Sequence, residues 1–219
     1  MDAHLIQFSV VVVGRTHNPS ILNPNFLREN DIVPKEWGWE VSETVTTPPF
    51  AIVRYANGCS VSVEPYKLQV TDLSVEADPT SSRAGEIAAA YVRTLPHVRY
   101  TAAGINFQSI AEHDTPEAYL RDRFIKDGPW REYTLPLAAA GIRMIYPLKD
   151  SDRVTLSLDA GEAQRGDADK KAKVIIANAN FHRDYDDNLP ANQVAAQLAS
   201  ISQDWETYCD LLSTALNTR

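Results

Sequence analysis

The sequence predicts an α+β fold: a largely antiparallel sheet of about seven or eight strands, with helices packed on one face and a long C-terminal helix. Three stretches carry that expectation. Residues 50–70 read FAIVRYANGCSVSVEPYKLQV, two alternating runs around Asn57-Gly58. Residues 5–13 form an apolar, β-branched run closed by Gly14. Residues 192–216 place Val194, Leu198, Ile201, Trp205, Tyr208, Leu212 and Ala215 at alternating spacings of four and three, the seam of a helix with one apolar side.

The run at 5–13 is apolar on both faces around Val10, so it reads as a buried strand near the middle of the sheet. The connection that follows contains Asn18-Pro19 and Asn23-Pro24, steps that favour turns, with Asn23 capping a short helix. Trp37-Gly38-Trp39 closes this connection, and residues 40–47 alternate weakly as a further strand. In the hairpin, a two-residue loop at Asn57-Gly58 sets Ile52 opposite Val63 and Arg54 opposite Val61. Arg54 then stands on an otherwise apolar face, and the hairpin lies at the centre of the sheet. The second strand bends at Pro65 and continues to Val70.

Residues 84–95 are an amphipathic helix stopped by Pro96, and residues 98–109 return as a strand in which Gly104 marks a bulge or a close approach. Thr115-Pro116 opens another helix, and three strands follow at 137–146, 154–162 and 173–181, the last two joined by a polar tip at 165–169. AGINFQS at 103–109 and ANANFHR at 177–183 echo one another. The whole chain, 1–219, reads as a single domain, with the polar loop at 72–83 the best place for a weak subdivision.

The 219 residues carry a formal charge of −8, which argues against nucleic-acid binding through a broad basic face. The two cysteines, Cys59 and Cys209, fit no metal or redox spacing and read as small core residues. No secretory leader pattern and no apolar run long enough for a bilayer is present in the sequence, so a cytoplasmic protein without a membrane segment is expected. No phosphate loop, nucleophile elbow or zinc-protease motif occurs, and no cofactor is implied.

Three groups of residues remain as candidates. His17, Asn18 and Arg54 form a potential ligand-binding or hydrolytic set, with the imidazole as base and the nearby asparagine amides as donors. The competing reading gives Asn18, Asn23 and Asn25 to their own turns. His182, Asp184 and Asp186 form an incomplete metal set: Asp184, Asp186 and Asn188 match the start of a calcium loop, but Leu189 and Ala195 break it. Trp205, Tyr208 and Leu212 form an interface candidate on the last helix, which would either cover the sheet or pair with another subunit. Trp37, Trp39 and Trp130 offer an aromatic wall or, more simply, loop anchors.

A leading strand, a Trp-containing loop, the pair RYANG/SVSVEPY, a helix, the strand YTAAGINF, a late strand pair and a long closing helix come in an order that resembles a sporadically distributed, functionally uncharacterised family of bacterial α+β proteins. The resemblance implies a bacterial origin and an α+β fold, and it carries over no functional residue. The expected function is non-catalytic: an interaction or assembly subunit of a bacterial cytoplasmic complex, bound to another protein or to a copy of itself. The alternative is a small-molecule-binding or hydrolytic protein built on the His17 and asparagine-rich loop.

Overall fold

In the computed structural model the described residues form one antiparallel sheet of nine strands in the order β2-β3-β4-β5-β1-β6-β9-β8-β7, together with five α-helices. The structure describes residues 1–75, 78–131, 133–149, 152–164, 171–186, 189–199 and 201–217. The strands are β1 Ala3–Gly14, β2 Val41–Thr47, β3 Phe50–Tyr55, β4 Cys59–Glu64, β5 Lys67–Asp72, β6 Tyr100–Glu112, β7 Ile142–Pro147, β8 Arg153–Gln164 and β9 Lys171–Asp184. The helices are α1 Pro24–Glu29, α2 Ala84–Thr94, α3 Pro116–Phe124, α4 Ala191–Ala199 and α5 Ser202–Leu216. Strands from both sides of the 72–83 loop share this sheet. Asp72 draws that loop in, accepting from the Ser74 backbone and from the hydroxyls of Ser74 and Ser82.

β1 occupies the middle of the order, paired with β5 and β6, as its apolar run requires. The hairpin of β3 and β4 is not the centre; it stands towards the β2 edge. Its register also differs by one residue from the sequence expectation. Val53 faces Val61 and Arg54 faces Ser60, because the loop holds Ala56, Asn57 and Gly58. The Gly58 N–H bonds to the Tyr55 carbonyl, and Gly58 takes φ +86° while Asn57 stays in the ordinary region. This is a type I turn followed by a left-handed glycine rather than a two-residue type I′ turn. A one-residue slip exchanges the faces of a strand. Ala51, Val53, Tyr55, Cys59, Val61 and Val63 are therefore the buried side, and Arg54 lies on the opposite, wetter side.

The ninth strand arises at Pro65. Glu64 pairs with Lys67, so the chain reverses through Pro65-Tyr66 and β5 returns alongside β4 instead of prolonging it. Proline presets φ for such a turn.

The closing helix is two helices. α4 packs beside α2, where the Leu198 carbonyl lies 2.6 Å from the point a Gly85 side chain would occupy, so only glycine allows this approach. α5 begins after Ile201 and follows another surface, stacking Tyr208 on Phe107 of β6 with ring centroids 5.1 Å apart. A single straight helix cannot meet both surfaces. The predicted seam nevertheless holds: Val194, Leu198, Ile201, Tyr208, Leu212 and Ala215 are buried within the chain.

Candidate functional site

Alternation along the strands sorts the sheet into two kinds of cross-strand row. One row runs Val53, Val61, Val70, Val10, Ile105, Phe181, Val154 and is fully or almost fully buried. The next row, pointing the other way, runs Glu43, Arg54, Ser60, Thr71, Ser9, Asn106, Asn180, Thr155, Ile145. Its charged members sit at one edge and its amides in the middle. The Asn180 side chain donates to Asn106 Oδ1 at 2.6 Å, and Asn106 Nδ2 reaches the Ser9 hydroxyl at 3.3 Å. Gly104 makes room for this chain of amides: a side chain there would begin 2.8 Å from Asn180 Nδ2. The sheet register through Gly104 is unbroken, so the glycine marks a close approach and not a bulge. Around these amides, Gln7, Gln108, Asn178, Thr155 and Ser157 line a shallow concavity of about 190 Å³. Its members come from β1, β6, β8 and β9, far apart in sequence. The only sequence signal was the echo of two Asn-Phe strands, which turn out to be direct neighbours, Asn106 opposite Asn180.

The second surface is the connection from α3 to β7. Trp130, Tyr133 and Leu135 are 56%, 68% and 76% exposed. The two ends of the segment that displays them are braced. Arg131 Nη2 donates to the carbonyls of Arg121 and Ile125, both at 2.8 Å, and Arg131 Nη1 meets Asp127. Trp130 Nε1 donates to the Lys126 carbonyl, and Arg121 reaches the Leu137 carbonyl. Large apolar groups displayed by a held backbone are costly to leave in water and inexpensive to order on binding. Trp37 and Trp39 do not join Trp130 in one wall. They pack on each other at 5.0 Å, Trp39 against Tyr55 and Trp37 under the Arg83 guanidinium.

His17, Asn18 and Arg54 are not brought together. His17 is buried between Tyr91 of α2 and Tyr100 of β6, with ring centroids at 6.0 and 5.9 Å. Neither ring nitrogen has a hydrogen-bond partner, and burial pulls its pKa down to about 4, so the imidazole is neutral and shielded. Asn18 accepts from the Ser20 N–H and Asn23 from the Phe26 N–H, while Asn25 Oδ1 takes the Arg28 guanidinium. The turns thus use Asn18 and Asn23 themselves, and Asn25 is taken by Arg28 within α1. Arg54 is exposed and paired with Glu43 of edge strand β2.

His182 Nε2 lies 2.8 Å from Asp184 Oδ1, and this hydrogen bond, with Arg153 alongside, holds the Asp184 carboxyl below its usual range. Among the described residues no three His, Cys, Asp or Glu side chains gather closely enough to hold a metal ion. Asn188, the third position of the calcium-loop reading, lies outside the described residues.

Of the interface candidates, Tyr208 and Leu212 are buried in the chain's own core and Trp205 is half-buried, packed on Phe107. The helix is therefore spent largely on covering the sheet. Cys59 is in the core, and burial raises its thiol to about 12. Cys209 is exposed, contrary to the sequence reading, because it falls one position past the buried stripe.

No family model matches the chain, and no curated protein matches it in sequence. Among the described residues no helix is long and apolar enough to cross a membrane.

Proposed function

We propose that this protein is a non-catalytic interaction or assembly subunit, working in a bacterial cytoplasmic complex with another chain or a copy of itself. The observation that carries this reading is the braced apolar loop, which presents Trp130, Tyr133 and Leu135 to solvent. Tryptophan and tyrosine dominate binding energy at interfaces, and Arg131 and Arg121 anchor the two ends of this segment, which lowers the entropy lost at Trp130 on docking. The loop leads directly into β7, an edge strand of the sheet whose Ile145 is also exposed. An open strand edge beside an apolar patch suits a partner that adds backbone pairing to side-chain burial.

We further propose that the helices gather on the Phe107 side of the sheet and leave the amide row uncovered. The packing of Trp205 and Tyr208 on Phe107 and the concavity around Asn106 and Asn180 support this arrangement.

Light scattering on the purified chain and on material isolated from its host tests the assembly reading. The wild type is expected above the 24.3 kDa of one chain in at least one of the two settings, and a Trp130→Ser, Leu135→Ser variant at one chain with unchanged thermal stability. A wild type that stays a lone chain in both, or a variant that keeps the larger mass, overturns it.

A further inference from the structure

Two neighbouring cross-strand rows carry neutral hydrogen-bonding side chains. One runs Ser9, Asn106, Asn180, Thr155 and the other Gln7, Gln108, Asn178, Ser157, across β1, β6, β9 and β8. All of them except Ser9 border the concavity of about 190 Å³, and none of its lining residues is charged. With 23% of the chain charged, a merely solvated sheet face would ordinarily include some of those residues. Depletion of charge marks the centre of a recognition surface. The second row meets its first charge at Arg143 of β7, opposite Ser157.

These side chains divide into a fixed floor and a free rim. Asn106 Nδ2 reaches the Ser9 carbonyl and hydroxyl, and Asn106 Oδ1 accepts from Asn180. Gln7, Gln108, Asn178, Thr155 and Ser157 are half-buried, and their side chains are hydrogen-bonded to none of the described residues. All five stand on strands, which hold a binding set more firmly than loops do.

The surroundings narrow the ligand. Phe107 also borders the hollow, but its ring is buried on Tyr208, so the lining offers no aromatic face to stack a planar base. Backbone groups free to capture an extended peptide lie on the edge strands β2 and β7, away from these rows. An uncharged ligand with several groups that both donate and accept fits what remains. Hydroxyls do both at once, as do the amides and hydroxyls that face them. The strand spacing of ~4.8 Å is also close to the length of one pyranose unit.

We propose that the amide rows bind an uncharged saccharide, with one ring seated in the concavity and the next laid across the neighbouring strand. The site rests on the open sheet face proposed above, and not on the assembly reading.

The probes are cellotriose and maltotriose, followed through the side-chain amide resonances of Gln7, Gln108 and Asn178. At least one of the two is expected to shift these resonances at tens of millimolar. Gln108→Leu is expected to weaken that binding about ten-fold with the fold kept, the loss of one hydrogen bond. Arg143→Gln should leave it within about two-fold, because the ligand is uncharged. Resonances that neither sugar moves overturn the proposal. So does binding that Gln108→Leu leaves unchanged, or that Arg143→Gln abolishes.

The openness of the face is read separately, by DTNB labelling of Ser157→Cys in a Cys209→Ser chain. Cys59 is buried with its thiol raised to about 12, so the introduced thiol is expected to react first. Ready labelling without any sugar response overturns the saccharide site alone. A folded chain that resists labelling removes the open face and the site with it.

Discussion

Arg183 Nη2 meets both carboxylate oxygens of Asp204, at 2.8 and 2.7 Å, and so ties β9 to the first turn of α5. Asp204 is only 6% exposed. Burial raises its pKa, and the Arg183 guanidinium opposes that shift. The acidic side chain also lies in the first helical turn, where the helix dipole favours negative charge. The pair helps to set where α5 starts, and thus where the closing segment divides.

Arg183→Met is expected to destabilise the fold by about 3–5 kcal/mol, because it leaves a buried carboxylate without its partner. The double variant Arg183→Met, Asp204→Leu should recover most of that loss, since an apolar pair has no desolvation cost. Urea denaturation measures both. A single variant within about 1 kcal/mol of wild type would show that the pair is not holding the helix.

His17 gives the protein a pH dependence of definite sign. Its pKa in the folded chain is about 4, against an ordinary value near 6.5. The folded state therefore binds the proton less well than the unfolded state. Its contribution is complete above pH ~6.5, falls as pH drops towards about 4, and amounts to about 3 kcal/mol in all. His17→Leu should remove this part of the slope. The check is the difference between wild-type and variant unfolding free energies at pH 7 and pH 4.5: a constant difference would mean the imidazole titrates normally.

Gly58 is the position on which the hairpin register turns. Its φ of +86° costs an L-residue with a β-carbon about 1–2 kcal/mol. Gly58→Ala should lower the unfolding free energy measured in urea by that amount, and Gly58→Asn by less, because asparagine tolerates the left-handed region. If the loop were a two-residue type I′ turn, Asn57→Ala would cost as much as Gly58→Ala. With Asn57 at ordinary φ, it should lose only the bond from the Cys59 N–H to the Asn57 side chain.

What was legible in the chain was legible for local reasons. Asn18, Asn23 and their following prolines specify turns through their own side chains, and the structure uses them so. The apolar run around Val10 points to a central strand, and it lies mid-sheet, although Val11 and Val13 on its second face are only half-buried. The 84–95 periodicity gives α2 almost to the residue. By contrast, Asn-Gly suits both a two-residue and a three-residue loop, and the alternation of β3 is compatible with either face. Only packing against β5 and the core selected the register that places Arg54 outward, beside Glu43. Pro65 announced a bend but not a full reversal, so β5 was missed.

The sequence by itself determined the α+β class, the antiparallel character and most element positions, because periodicity and turn chemistry act over a few residues. Tertiary structure decided everything that depends on partners distant in the chain. It divided the closing segment between α2 and the Phe107 face, enclosed His17 between two tyrosines, and assembled Asn106 with Asn180. The same holds for the concavity around these amides: its members come from β1, β6, β8 and β9, and no local pattern brings them together.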